Sequence, residues 1–214
     1  MIVTIRPGPL RGKIFPPPSK SHAQRLLMAA ALSEGETLIL RPGTCGDVEA
    51  AVRCLTALGV PIRRRNDALS VTGPIPRYSS ADLNRGESGA MLRFLLPLCT
   101  TGADRRVSFR GEGRLPKRPL LPLLNALRAH GAHVEGDALP LSVGGGLQPG
   151  DYALPGDISS QFFSGLLLAL PLLPGESILH YTSPLQSRPY VDLTLAVLWQ
   201  FGVRADVTSL ESKF

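Results

Sequence analysis

The feature that most constrains this chain is a pattern that occurs three times, at intervals of about seventy residues. In each copy a serine precedes an apolar stretch, and a glycine follows that serine by 14 or 15 residues; the pairs are Ser21–Gly35, Ser88–Gly102 and Ser160–Gly175. A second set of glycines, each at the end of a predicted amphipathic helix, is spaced by 72 and 71 residues; these are Gly59, Gly131 and Gly202. The period is longer than that of common solenoid units. The sequence therefore predicts an α/β (α+β) fold with a threefold repeat of β-α-β-α-β-β units.

The two helices predicted in each unit differ in character. The first helices are apolar on nearly every side, which is typical of buried helices; they are predicted over residues 26–33, 90–98 and 162–173. The second helices are amphipathic and should cover the outside; they are predicted over residues 48–58, 118–130 and 188–201. If the three buried helices are roughly parallel, their N-termini meet at one end. Their dipoles and serines would then line a single anion-binding surface.

The start of the first buried helix has its own candidate anion site. Residues 16–18 are three prolines, which form a stiff extended connector. Ser19 or Ser21 can cap the helix that follows, with Asp47 in the same role for the next helix. Lys20 then lies beside a helix N-terminus and Arg25 one turn further on. The alternative interpretation is a capped surface helix with ordinary cations.

Charge and aromatic content argue against nucleic acid as a partner. The net charge is +6 and the pI about 9.6, which suits nucleic acids and small anions equally. The basic residues are scattered, and the single tight run, at 63–65, is typical of a solvated strand end or turn. Aromatic residues make up 6% of the chain and do not interleave with the basic ones.

Several other classes of protein are disfavoured. The chain has three cysteines without CxxC spacing and four histidines without ligand-like spacing, so we predict no disulfide framework and no metal site. The longest apolar run, 162–173, is too short to span a bilayer, and residues 1–6 lack a signal-peptide pattern. We therefore expect a cytoplasmic protein without membrane association.

Five motifs, in order along almost the whole chain, together resemble those of the EPSP synthase family, the 3-phosphoshikimate 1-carboxyvinyltransferases of the shikimate pathway. They are Pro-Ser-Lys-Ser at 18–21 with Arg25, Glu-Ser-Gly-Ala-Met-Leu-Arg at 87–93, Arg118-Pro119, Ser159-Ser160-Gln161, and Ser187-Arg-Pro-Tyr190. Members of this transferase family act in aromatic amino-acid biosynthesis and are the target of glyphosate.

The resemblance implies a particular organisation. Family members are about twice as long, with two lobes of three units each, in which sheets and outer helices surround buried helices as an inside-out α/β barrel. Residues 1–19, predicted to form strands and a crossover, would belong with the second lobe, and residues 20–214 would form the N-terminal lobe. Its units would cover about 20–83, 84–153 and 154–214, the last one truncated. The missing C-terminal lobe would be its partner in a monomeric enzyme that needs no cofactor.

The resemblance also implies a reaction and a set of roles. The 5-hydroxyl of shikimate 3-phosphate would add to C2 of phosphoenolpyruvate, C3 would be protonated, and phosphate would leave. Lys20 would be catalytic and touch both substrates, with its pKa tuned by neighbouring cations and the helix end. The residues implied for shikimate 3-phosphate are Lys20, Ser21, Arg25, Ser159, Ser160, Gln161, Ser187 and Tyr190. Those implied for phosphoenolpyruvate are Lys20, Gly89, Arg118 and Gln161, the position of Gly89 being the one linked to glyphosate sensitivity.

Two positions depart from the family pattern. The usual Asn-(Ala/Ser)-Gly-Thr is Glu87-Ser88-Gly89-Ala90 here. A carboxylate at Glu87 is unfavourable beside an anionic substrate unless it points away or pairs with a cation. Ala90 lacks the threonine hydroxyl. The family's catalytic carboxylates lie in the other lobe, so we expect this chain to bind shikimate 3-phosphate weakly and not to turn over alone.

Two other functions stay open at this point. A UDP-N-acetylglucosamine enolpyruvyl transferase would have Lys-Asn in place of Lys20-Ser21 and a cysteine on a mobile loop, yet no cysteine occurs near residues 115–117. A non-catalytic basic anion-binding module would explain the charge without any chemistry.

Overall fold

The computed structural model describes residues 3–4, 6–9, 11–76, 80–84, 86–102 and 106–206. These residues form six α-helices: α1 (Lys20–Leu32), α2 (Gly46–Ala57), α3 (Gly89–Cys99), α4 (Leu121–Ala129), α5 (Ser160–Ala169) and α6 (Arg188–Gln200). The nine strands in the same residues are β1 (Gly35–Leu40), β2 (Ile62–Arg65), β3 (Ala68–Gly73), β4 (Ser80–Asn84), β5 (Arg106–Arg110), β6 (His133–Glu135), β7 (Leu141–Gly144), β8 (Asp151–Leu154) and β9 (Ile178–Tyr181). The mixed α/β class predicted from the sequence is confirmed.

The strands form three separate sheets. The first has the antiparallel order β1-β3-β2, in which Leu38 faces Ser70 across the ladder. The second has the order β4-β5-β7-β6, with β4 parallel to β5, and the third pairs β8 with β9 in parallel. Because the described parts of the three sheets differ in strand number and pairing, the threefold repeat stays a prediction.

Sheet pairing places β4 and β8 differently from the predicted unit boundaries. The divisions near 83/84 and 153/154 cut through β4 and β8, yet β4 belongs to the sheet of β5 and β8 to the sheet of β9. Both strands are only five and four residues long, too short for their alternation to stand out in the sequence. The arginine run at 63–65 lies in β2, an exposed strand.

The core is built on α1, α3 and α5, as their apolar sequences predicted. Nearly every residue of α3 and most residues of α1 and α5 are buried, whereas only Thr194, Val197 and Leu198 are buried in α6. The helices α3 and α5 come unusually close at Gly165, where a Cβ would lie 2.1 Å from the Arg93 carbonyl oxygen. Only glycine fits at this crossing, so α3 and α5 are held in one relative position.

The observed helix starts correct several predictions. The first helix begins at Lys20, so the predicted range of 26–33 covers only its second half. Of its two predicted caps, Ser19 is the one that forms, by accepting a hydrogen bond from His22 N at 3.3 Å. The cap of α2 is Cys45, while Asp47 lies in the first turn. The helix predicted from residue 118 begins at Leu121, because the chain is extended at residue 118.

Two expectations fall at the ends of the chain. The described residues before α1 form no strand, in contrast to the strands predicted there. Residues 1, 2, 5 and 10, and the truncated end predicted for the third unit, 207–214, lie outside the described residues.

Within the ranges given above, no helix has the length and apolar character to cross a bilayer, and no group of three or more His, Cys, Asp or Glu side chains forms a metal-ligand cluster.

Candidate functional site

The N-termini of four helices open into one cleft of about 480 Å³. Residues from the first turns of α1, α3, α5 and α6, together with the loop before α4, line this cleft. Nine of the ten residues predicted from the sequence line it: Lys20, Ser21, Arg25, Arg118, Ser159, Ser160, Gln161, Ser187 and Tyr190. Each helix start offers unpaired N–H groups and the positive end of its dipole. The tertiary structure thus brings distant parts of the sequence to one anion-attracting surface.

The charges that line the cleft are all of one sign. Among the described residues, four cations line it, Lys20, Arg25, Arg93 and Arg118, and no carboxylate does. Arg25 and Arg93 are only 2% and 3% exposed. A buried cation without a buried counterion is unfavourable. The arrangement therefore suits a ligand that carries the missing negative charge.

Lys20 is held by an ion pair at the edge of the cleft. Its Nζ donates to Asp47 Oδ2 at 2.7 Å, and this hydrogen bond and the charge of Asp47 raise the pKa of Lys20. Neighbouring cations are therefore not the leading influence on its pKa, contrary to the expectation from sequence. Burial by itself would raise the pKa of Asp47, but hydrogen bonds from Lys20 and Ser88 hold it below its ordinary value. Lys20 is thus a protonated group that can donate hydrogen bonds to an anion, and its pairing with Asp47 makes it a weaker acid than a free lysine.

Ser88 does not line the cleft, although it was expected there with Ser21 and Ser160. It is 3% exposed and turned toward α1 and α2. Gln24 Nε2 donates to Ser88 Oγ at 3.0 Å and to the Asp47 carbonyl oxygen at 3.2 Å. Ser88 also hydrogen-bonds to the Asp47 carboxylate, so it helps to hold the group that pairs with Lys20.

Arg25 forms part of the floor of the cleft and joins three helices. Its Nε donates to Thr194 Oγ1 at 2.7 Å, its Nη2 to Ser164 Oγ at 3.0 Å, and its Nη1 to the Ser21 carbonyl oxygen at 2.8 Å. The guanidinium also lies 5.9 Å from the ring centroid of Tyr190. Burial lowers the pKa of Arg25 to about 10, which leaves it charged at neutral pH.

Gly89 lies beside two guanidinium groups at the start of α3. A Cβ at this position would lie 2.7 Å from Arg118 Nη1, 2.8 Å from Arg93 Nη1 and 3.7 Å from Gln161 Oε1. Glycine is needed here for space. Arg118 is exposed, and within the described ranges no acceptor pairs with its guanidinium.

The α5 and α6 side of the cleft is lined by hydroxyl groups. Ser159 caps α5 by accepting a hydrogen bond from Gln161 N at 3.3 Å, and Ser160 follows it. Ser187 precedes α6 in the left-handed region, with φ 57°, and makes no capping hydrogen bond. Such a conformation in a residue other than glycine is strained, and strain of this kind gathers at functional sites.

The two departures from the family pattern have different outcomes. Glu87 points away from the cleft, because its Oε1 accepts a hydrogen bond from Arg114 N at 3.4 Å. It packs against Gly113, where a Cβ would lie 1.6 Å from that same oxygen. Ala90, in contrast, lines the cleft and contributes a methyl group there.

Sequence reasoning placed Arg93 in a motif but assigned it no ligand, and it did not pair Asp47 with Lys20. Arg93 is a single arginine inside an otherwise apolar helix. Because arginine is rarely buried unless it is paired, this position in the sequence indicates that Arg93 has specific partners in the core. Asp47 is 27 residues from Lys20, so only the tertiary structure reveals their pairing.

Comparison with known proteins places the chain in a family. Residues 5–214 match the family EPSP synthase (3-phosphoshikimate 1-carboxyvinyltransferase). A 3-phosphoshikimate 1-carboxyvinyltransferase from Clostridium kluyveri is 40% identical over 210 residues, which cover 97% of this chain and 49% of that protein. One from Methanocorpusculum labreanum is 35% identical over 204 residues, covering 92% and 48%. The chain spans about half the length of the curated relatives it matches.

Solved structures agree at the level of the fold. The EPSP synthase from Acinetobacter baumannii superposes with a TM-score of 0.80 at 26% identity, over 92% of this chain and 46% of that one. The enolpyruvyl transferase NikO from Streptomyces tendae has a TM-score of 0.62 at 21% identity, over 86% and 43%, which shows a shared fold alone.

Proposed function

Because the chain belongs to the EPSP synthase family, we propose that it forms the substrate-binding half of an enolpyruvyl transferase. The reaction transfers the carboxyvinyl group of phosphoenolpyruvate to the 5-hydroxyl of shikimate 3-phosphate. The oxygen of that hydroxyl loses its proton and bonds to C2 of phosphoenolpyruvate while C3 gains a proton. C3 then loses a proton as the C2–O bond to phosphate breaks, which restores the carboxyvinyl double bond and releases inorganic phosphate.

The observation that carries this proposal is the charge of the cleft. Four cations and four helix N-termini face one space, and no carboxylate lines it. Two substrates that each bear a phosphate group need such a dense set of donors to be held together. A site for a neutral ligand would gain nothing from two buried, uncompensated guanidinium groups.

Shikimate 3-phosphate is assigned to the side formed by α1, α5 and α6. The hydroxyls of Ser159, Ser160 and Ser187 suit its phosphate, since they stand at helix starts where N–H groups also point outward. Ser21 and Arg25 bind the same ligand from the floor, and Tyr190 flanks its phosphate.

Phosphoenolpyruvate is assigned to the side formed by α3 and the loop before α4. Arg118 presents an exposed guanidinium fork that suits a carboxylate or phosphate. Gly89 leaves room for close approach. Gln161 lies between the two ligands, and Lys20 reaches both.

Lys20 supplies the proton in this proposal. Its ion pair with Asp47 favours the ammonium form, which neutralises the two anions. Because the pair also makes Lys20 a weaker acid, transfer of its proton toward C3 requires that substrate binding release Lys20 from Asp47. A general base to receive the proton of the 5-hydroxyl is not among the residues that line this cleft. We therefore expect that base in a second lobe, and no turnover by this chain alone.

The larger organisation belongs to the same proposal. The three groups of two helices and a sheet are copies of one β-α-β-α-β-β unit, arranged as an inside-out barrel. Residues 1–19 lead to a C-terminal lobe that closes over the cleft, and the complete protein is a cytoplasmic monomer. Lys20 would then lie at the bottom of a cleft between two lobes.

Titration of the chain with shikimate 3-phosphate, followed by NMR, tests the proposal. We expect the backbone signals of Lys20, Ser160 and Gln161 to shift together with a single dissociation constant. Shikimate without phosphate and UDP-N-acetylglucosamine are the control ligands, and neither should produce these shifts. Equal shifts with all ligands, or phosphate release by the chain alone, would contradict the proposal.

A further inference from the structure

Arg93 makes contacts that no other residue of the cleft makes. From the first turn of α3, its guanidinium reaches three separate elements. Its Nη1 donates to the Gly89 carbonyl oxygen at 3.1 Å and to Gln161 Oε1 at 3.2 Å. Its Nη2 donates to the Pro119 carbonyl oxygen at 3.0 Å. These contacts tie the start of α3, the start of α5 and the loop before α4 to one planar group.

The three elements are those that carry the residues assigned to phosphoenolpyruvate. Gly89 and Gln161 are bonded to Arg93 directly, and Arg118 is the neighbour of Pro119 in the chain. We infer that Arg93 is a positioning residue that sets Gly89, Arg118 and Gln161 in the geometry that binds phosphoenolpyruvate. This inference rests on the proposed function.

The way Arg93 is buried supports a positioning role. It is 3% exposed, its guanidinium lies 5.6 Å from the ring centroid of Phe162, and its backbone is pinned by the close approach of Gly165. A planar group fixed on one face and bonded along its edge has little freedom to rotate. It can therefore impose its own geometry on the partners.

The charge of Arg93 also constrains Arg118. Burial, and to a lesser extent the charge of Arg118, lower the pKa of Arg93 to about 10, so both groups are cations at neutral pH. Both Nη1 atoms lie within 2.8 Å of the point where a Gly89 Cβ would be. The two like charges repel each other at the start of α3, and an anion bound beside them would relieve this repulsion.

One nitrogen of Arg93 is left without a partner. Its Nε is buried and makes no hydrogen bond within the described residues. A purely structural arginine would be expected to satisfy all of its buried donors. In this respect Arg93 differs from Arg25, whose Nε donates to Thr194 Oγ1 at 2.7 Å.

Replacing Arg93 with lysine separates the effect of the guanidinium geometry from the effect of the positive charge. Arg93→Lys keeps the cation but cannot bond to acceptors on three elements at once. We expect it to weaken phosphoenolpyruvate binding by about tenfold or more, and shikimate 3-phosphate binding by less than about twofold, since lost charge-assisted hydrogen bonds act locally. Calorimetric titration of the whole chain with each ligand measures this split.

Arg128→Lys is the matched control. Arg128 is also a helix arginine that donates to backbone carbonyl oxygens, those of Val134 and Gly136, but it lies away from the cleft. Its replacement should lower the midpoint of urea unfolding and leave both ligand affinities unchanged. If Arg93→Lys behaves in the same way, Arg93 is an ordinary structural residue and the inference is wrong.

A measurement made without any ligand tests the positioning role of Arg93 independently of the proposed function. In Arg93→Lys the NMR signals of the Gly89 amide, the Gln161 side-chain amide and the Arg118 Nε–H should all move, while in Arg128→Lys they should not. If the wild-type chain binds neither substrate, the proposed function fails, and these signals alone judge the positioning role. If they stay in place, the role is refuted whatever the affinities are.

Discussion

Arg25 and Arg93 occupy similar places in the cleft but are held in different ways. Each lies near the start of a buried helix, each is nearly inaccessible, and burial lowers the pKa of each to about 10. Arg25 bonds to the hydroxyls of Ser164 and Thr194, which also bond to each other. Arg93 bonds to two carbonyl oxygens and one amide oxygen and keeps its Nε unpaired.

The difference separates the cleft into two sides. The Arg25 side comprises α1, α5 and α6, whose polar groups are joined in a closed network. The Arg93 side comprises α3 and the loop before α4, where an exposed Arg118 adds a cation that is unpaired within the described residues. We interpret the first side as preformed and the second as completed by its ligand.

The largest effect should come from the contact that joins both sides. Gly165→Ala places a Cβ 2.1 Å from the Arg93 carbonyl oxygen, so α3 and α5 must move apart. We expect a loss of about 3 kcal/mol in the free energy of unfolding, as in severe overpacking of a core. Urea unfolding measures it. Gly46→Ala, at the start of α2 where a Cβ meets nothing within 4 Å, is the control. Equal stability of the two variants would contradict the packing described.

Gly89→Ala should affect the Arg93 side alone. Its Cβ displaces side-chain atoms, the Nη1 atoms of Arg93 and Arg118, and no backbone atom, so the fold survives while the geometry set by Arg93 is disturbed. We expect phosphoenolpyruvate affinity to fall about tenfold, equivalent to about 1.4 kcal/mol, with shikimate 3-phosphate affinity retained. Calorimetry with both ligands tests the split. A parallel loss of both affinities would mean that the two sides are not independent.

Ser187→Gly should act on the Arg25 side and move stability and affinity in opposite directions. Glycine adopts the left-handed conformation of residue 187 freely, so unfolding should cost about 0.5 kcal/mol more, after the extra entropy of the unfolded chain is subtracted. Loss of the hydroxyl should weaken shikimate 3-phosphate binding several-fold.

Asn66→Gly is the control for Ser187→Gly. Asn66 also has a positive φ, of 51°, but lies in the turn between β2 and β3. It should gain stability without any change in affinity. If Ser187→Gly also binds the ligand normally, the Ser187 hydroxyl has no part in the site.

The smallest effect concerns pH and the Lys20–Asp47 pair. The pKa of Asp47 is lowered in the folded chain, so the pair stabilises the fold above the ordinary value of 3.8 and loses this effect as the pH falls through the lower, folded value. The pKa of Lys20 is raised, so its contribution is present below 10.5 and disappears as the pH rises through the higher, folded value. Since Lys20 is well exposed, Asp47→Asn should cost less than about 1 kcal/mol at pH 7.

The measurement is the difference in unfolding free energy between wild type and Asp47→Asn at pH 7 and pH 3. The difference should shrink at pH 3. NMR titration of Lys20 should give a lower pKa in the variant. A difference that stays constant with pH would show that the ion pair contributes nothing.

Much of this molecule could be predicted from its sequence. The apolar character of residues 26–33, 90–98 and 162–173 predicted the buried helices, because a helix without a polar face has no stable place at the surface. Nine of the ten predicted site residues line one cleft. In contrast, β4 and β8 escaped prediction, since short strands become stable only through the strands that they pair with.

By itself, the sequence determined which segments are buried, where helices begin within a few residues, and which residues have the chemistry to bind anions. Those properties depend on local polarity and periodicity, which neighbours in the chain set. Only the tertiary structure decided that Asp47 pairs with Lys20, that Ser88 and Glu87 turn away from the cleft, and that Arg93 joins three elements. These contacts link residues that are 26 to 68 positions apart, so their geometry depends on how the helices pack rather than on either sequence segment alone.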